Sequence, residues 1–160
     1  MTATDLAVDV SSEGVRAPLA RARVADLVRG VLRAERVRHA MISVAFLDEA
    51  EMARLNWRHL RHRGPTDVIS FGLTSAPGAP VVGDIYVSPA VVRANARANR
   101  RPVREELARV VIHGVLHVLG HDHAQPDQAE RMRARERELL EAHHWGGPAP
   151  GAFRQEHAER

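Results

Sequence analysis

PVREELARVVIHGVLHVLGHDH, residues 102–123, combines a long apolar pattern with four of the chain's ten histidines. Pro102 fits the first turn of a helix, where its fixed φ is suitable and its missing N–H is not needed. Glu105 and Glu106 come next, near the positive N-terminal end. Leu107, Val110, Val111, Ile112, Val115, Leu116 and Val118 place apolar side chains on most sides as far as Leu119. That distribution predicts a central, buried helix. His113 and His117 are four residues apart, so their imidazoles share one face. Gly120 is the residue type that ends a helix in the left-handed conformation, and it lets the chain return with His123 from another direction. Three neutral imidazoles with an open fourth position match a catalytic zinc site, although imidazole also suits nickel, copper and iron. Packing alone explains the pattern poorly, because buried imidazoles without partners cost about 1–3 kcal/mol each. Zinc proteases place a general-base glutamate directly after the first histidine. Here that residue is Gly114, so peptide hydrolysis by that route has no base.

Upstream, Leu6–Val10 alternates weakly as a short strand. Residues 18–37 carry Leu19, Val24, Leu27, Val28, Val31 and Leu32 at a helical period. Met41–Leu47 is a β-branched apolar run suited to a buried strand. Asp48 reads as an N-cap, with Glu51 three residues on, and opens a helix carrying Met52, Leu55 and Leu60. That helix dissolves in RHLRHRG, residues 58–64. Val68–Leu73 and Gly83–Ser88 read as strands joined by the Pro/Gly-rich loop TSAPGAP. A helix over Pro89–Arg100 carries Arg93 and Arg97, with Arg101 just beyond, a spacing that reads as an exposed helix side. Gln128–His143 is a last, highly charged helix. The resulting fold class is α+β: a small sheet of about four strands covered by helices, with a central buried helix carrying the metal ligands. Residues 1–145 are expected to form a single domain, followed by a flexible tail over residues 146–160.

The bulk composition agrees. A chain of 160 residues, 44% hydrophobic and 27% charged, suits one globular domain and is too apolar for disorder. With no cysteine, disulfides, thiolate metal sites, iron–sulfur clusters and cysteine nucleophiles are excluded together. No apolar run approaches the roughly 20 residues of a membrane span. MTATDLAVDVSSEG lacks the basic start and apolar stretch of a secretory signal, so a cytoplasmic location is expected. All 23 basic residues are arginine, which lifts the sequence pI to about 10.7 at a net charge of only +3. GC-rich coding accounts for that bias, and a phosphate-rich partner is compatible with it without being demanded.

HGVLHVLGHDH resembles the His-Gly-x-Leu-His-Leu-x-Gly-Tyr-Asp-His signature of the YbeY family, bacterial endoribonucleases and ribosomal-RNA maturation factors. Leu55-Asn56 and Pro65-Thr66-Asp67-Val68-Ile69-Ser70-Phe71 match further family elements, as do Gly83-Asp84-Ile85 and the pair Met132 and Glu136 of the final helix. The resemblance implies a single-strand-specific, metal-dependent endoribonuclease of late rRNA maturation, including 16S rRNA 3′-end processing, and of ribosome quality control. It implies one Zn2+ per chain on His113, His117 and His123, with ribosomal RNA and the small ribosomal subunit as partners and no membrane. Asp122 is the nearest carboxylate in sequence, a candidate to orient a histidine or the attacking water. The family's cleavage arginine aligns without gaps to Leu60, beside Arg61; either a small local shift gives Arg61 the role, with Arg58 and Arg63 as candidates to hold substrate, or the role is spread over Arg58, Arg61 and Arg63. Thr66 and Asp67 are expected to line the cleft, and His121 to fill the packing or rim position of the family's tyrosine. Two other readings stay open: a non-catalytic ribosome-assembly factor with a structural zinc, and a metal hydrolase acting on another substrate.

Overall fold

The computed structural model describes residues 4–73, 76, 78–121 and 123–143. Asp122, Trp145 and the expected tail lie outside the described residues. Alternating apolar side chains form β1 (Asp5–Ser12), which pairs along its whole length with β2 (His39–Phe46). The helix α1 (Arg21–Ala34) makes the crossover between them, so the pairing is parallel. The chain then runs through α2 (Glu49–Leu60) and β3 (Val68–Gly72) before β4 (Val81–Val87) lies parallel to β2. β3 turns back antiparallel on the outer side of β4, giving the sheet order β1-β2-β4-β3. Three helices complete the elements of the described residues: α3 (Pro89–Ala98), α4 (Val103–Val118) and α5 (Pro126–Ala142). The α+β layout expected from the sequence, four strands with a central buried helix, is the observed architecture.

The hub is α4, which packs on β3 and β4 and against α1, α3 and α5. Its Leu107, Val111, Ile112, Val115 and Leu116 join Val28 and Leu32 of α1, Phe46 of β2 and Ile85 of β4 in the main core. Two glycines set how closely this helix approaches the sheet. A Cβ on Gly114 would lie 2.9 Å from Ile85 Cγ2 and 3.0 Å from Ser70 Oγ, and one on Gly83 would lie 2.5 Å from Val118 Cγ1. Only hydrogen fits at either position, so α4 is seated in a glycine-lined depression over the β3–β4 pair. Helical cover is one-sided in the middle of the sheet, where Met41 of β2 is 62% exposed on the opposite face.

The helix ends are closed by local hydrogen bonds that set the direction of the next segment. The Asp48 carboxylate accepts the Glu51 N–H at 2.8 Å, the cap that the sequence predicts for α2. Pro102 is the N-cap of α4 instead of a first-turn residue, so the helix starts one residue later than its proline suggests. Past α1, α3 and α4 the backbone closes Schellman turns, with Val37 N–H on Leu32 O at 2.8 Å, Arg101 N–H on Ala96 O at 2.9 Å and His121 N–H on Leu116 O at 3.0 Å. Gly120 takes the left-handed position after α4 at φ 98°, but after α1 and α3 that position falls to Arg36 (φ 63°) and Arg100 (φ 53°).

Candidate metal centre

On the mostly buried α4, Arg109, His113 and His117 form a half-buried stripe at four-residue spacing. The turn at Gly120 reverses the chain within a few residues and returns the exposed His123 to that stripe. One ring nitrogen from each of His113, His117 and His123 lies within 4.8 Å of the others. Their ring centroids are 4.8 Å apart for His113–His117, 5.6 Å for His113–His123 and 4.8 Å for His117–His123. The three sequence-predicted ligands therefore converge, two from one helix and one from the loop beyond it. This group can bind a metal ion. His121 contributes its backbone N–H to the turn and is outside the group.

Behind the ligands stands a chain of charges that local sequence patterns do not reveal. Glu136 of α5, only 4% exposed, accepts a hydrogen bond from the Nδ1–H of His113 at 2.6 Å. That bond fixes the ring's tautomer and orientation and leaves Nε2 with its lone pair free for an ion, the carboxylate–histidine arrangement common behind metal ligands. The other Glu136 oxygen is 3.5 Å from the Arg109 guanidinium. Arg109 also donates to both oxygens of the buried Glu106, at 3.1 and 2.6 Å, and approaches Asp67 at 4.0 Å. Its hydrogen bonding to Glu106 raises its pKa further, so it stays cationic and balances the carboxylates around it. Glu136 is visible in the sequence only as a family match and Glu106 only as a helix-dipole residue, while no local pattern singles out Arg109.

Of the other expected site residues, Asp67 reaches the centre through Arg109, and Thr66 is half-buried just before it. The arginines before them gather at the end of α2. Arg61 and Arg63 place their guanidiniums 5.6 and 5.7 Å from the centroid of the Trp57 ring, which is 47% exposed and not part of the core. Arg61 is itself the left-handed residue ending α2, at φ 56°, and Arg58 is exposed one turn earlier. The buried Asn56 donates to Gly64 O at 2.9 Å and ties down this arginine-bearing loop. Among the described residues, neither Arg61 nor Arg63 makes a hydrogen bond or ion pair with the three histidines.

A cavity of about 390 Å³ opens beside the ligands, lined by Arg109, His113, His123, Met132, Arg133 and Glu136 among others. The Gly114 backbone faces away from it, toward β3 and β4. A mixed open sheet, a helical hub carrying two imidazoles and a third returned by a glycine turn define a metal-binding α+β protein with an accessible site. The family described as Endoribonuclease YbeY matches residues 9–144, and the chain belongs to that family. The endoribonuclease YbeY of Thermobifida fusca is 38% identical over 145 residues, covering 84% of this chain and 92% of its own. That of Mycolicibacterium gilvum is 36% identical over 148 residues, covering 85% and 82%. A solution structure from Thermotoga maritima superposes with a TM-score of 0.55 at 25% identity, covering 90% of this chain and 98% of that one. No helix among the described residues is long and apolar enough to cross a membrane.

Proposed function

We propose that this chain is a zinc-dependent endoribonuclease that cleaves single-stranded ribosomal RNA of the small subunit in the cytoplasm. The observation that carries the reading is the convergence of His113, His117 and His123 beside an open cavity, with His113 held by the buried Glu136. The donor set fits the ion: three imidazoles, one with its Nδ1 proton already committed, in a chain without thiolates. Zinc, when bound, supplies a Lewis acid for a phosphoryl oxygen and lowers the pKa of a bound water to about 7.

The protein's own groups do the rest. Glu136 holds the His113 ring in place through its Nδ1–H, and Arg109 holds Glu136 from the other side. Arg61 faces the negative charge that builds on the phosphoryl oxygens as the bond breaks, and Arg58 and Arg63 hold neighbouring phosphates. Trp57 supports this role by holding the Arg61 and Arg63 guanidiniums at the surface. Thr66 and Asp67 form the wall of the cleft, Asp67 through its contact with Arg109. Asp122, next to a ligand in sequence, orients that ligand or the attacking water.

The test is cleavage of single-stranded ribosomal RNA by zinc-loaded protein, compared with a His113→Ala/His117→Ala double variant. Cutting by the wild type and none by the variant is expected. RNA that is bound but never cut would point instead to an assembly factor with a structural zinc.

A further inference from the structure

The arginines of α5 divide by what they face. Arg131 pairs with Asp127 at 3.3 Å, and Arg135 pairs with Glu35 at 2.7 Å and Glu138 at 3.4 Å. Arg133 and Arg137 alternate with them, are exposed, and form no ion pair or hydrogen bond among the described residues. Four residues apart, they stand on one side of the helix with about 6 Å between them along its axis. Both line a second cavity, of about 560 Å³, together with Arg101, Arg109, Glu105 and Glu136. Arg133, Arg109 and Glu136 also line the cavity at the histidines, so the two spaces share a wall.

We propose that Arg133 and Arg137 bind successive phosphates of the RNA strand on one side of the cleavage point, carrying it from the histidines along α5. This rests on the endoribonuclease reading. The helix neutralises the arginines that point elsewhere and leaves uncompensated the two that border the cavities. Uncompensated guanidiniums spaced along a groove suit a chain that repeats one anionic group per residue, and they recognise it without reading its bases. Three carboxylates share the wall and none is paired with Arg133 or Arg137: Glu141, four residues past Arg137, forms no ion pair with either among the described residues. Glu136 is engaged by His113 and Arg109, and Glu105 is buried beneath the surface. The arginines of α3 offer no such row, since Arg93 is turned to the Arg16 carbonyl at 3.0 Å.

The experiment uses the full-length, zinc-loaded protein and a single-stranded 2′-O-methyl RNA oligonucleotide that resists cleavage, with affinity followed by fluorescence anisotropy across a salt series. Arg133→Gln and Arg137→Gln should each weaken binding at every RNA sequence and reduce the slope of log K against log salt by about 0.7, the loss of one single-strand phosphate contact. Arg131→Gln removes the same charge from the same helix and should leave the slope unchanged. Wild-type slopes in the Arg133→Gln and Arg137→Gln proteins would overturn the proposal, as would an equal loss in Arg131→Gln, which would mark a diffuse charge effect. If the wild type cuts RNA but the slopes do not move, only this track fails. If the wild type neither binds nor cuts RNA, the endoribonuclease reading fails with it.

Discussion

Replacing Glu136 by glutamine removes one negative charge from behind the metal ligands with little change in shape. In the native protein that carboxylate is almost out of water and receives the His113 Nδ1–H at 2.6 Å. A hydrogen bond to an ionised acceptor is about twice as strong as a neutral one. Glutamine also brings two N–H donors, one of which is then turned toward either Arg109 or His113, both already donors. The imidazole loses basicity and its fixed orientation together, and loss of such a partner typically costs about 10–100-fold in metal affinity. In free energy that is about 1.4–2.7 kcal/mol. Competition titration of Glu136→Gln against a chromophoric zinc chelator should therefore show a dissociation constant raised by one to two orders of magnitude, with unchanged stoichiometry. Circular dichroism should confirm an intact fold. A folded Glu136→Gln protein with wild-type zinc affinity would refute the reasoning that this carboxylate orients the ligand.

Arg61→Ala should lower RNA cleavage by about 10²–10³ while leaving zinc content intact, because its charge would matter most in the transition state; wild-type turnover would remove Arg61 from the mechanism. Gly114→Ala should lower stability in urea unfolding by about 1–3 kcal/mol, since the added methyl meets Ile85 Cγ2 at 2.9 Å and Ser70 Oγ at 3.0 Å and overpacks the helix seat. Arg36→Gly and Arg100→Gly should each raise stability by about 0.5–1 kcal/mol, the left-handed strain relieved less the entropy that glycine adds to the unfolded chain. Thermal melts would read that gain as a rise of about 1–4 °C in Tm for a domain of this size.

The elements of the fold were legible because each rests on a local pattern. The 3.6-residue period of α1 and α4, the β-branched run of β2, the Asp48 cap and the Gly120 turn all act within a few residues of themselves. Strand order was not legible. The place of β4 between β2 and β3 depends on its parallel pairing with β2, a contact between distant segments. The same division runs through the site. His113, His117 and His123 declare themselves by spacing, whereas Glu136 lies 23 residues beyond His113 on a helix whose charges all look alike in sequence. Only packing shows that Glu136 is buried while Glu138 two residues on faces solvent. Trp57 shows the converse: its residue type suggests core or an element end, but the chain leaves it outside as a support for Arg61 and Arg63.

The seat beneath Gly114 also limits what this scaffold can become. A zinc peptidase would need a glutamate at this position, the step that would convert its histidine spacing to the protease motif. Here the Cα of residue 114 points into the sheet, and a carboxylate side chain would have to displace Ile85 and Ser70 before reaching any substrate. The two catalytic designs, though one codon position apart on paper, are separated by the register of a helix on its sheet. An ancestral lineage holding this packing could drift in its arginines and loops and still find no single-substitution path to cutting peptides.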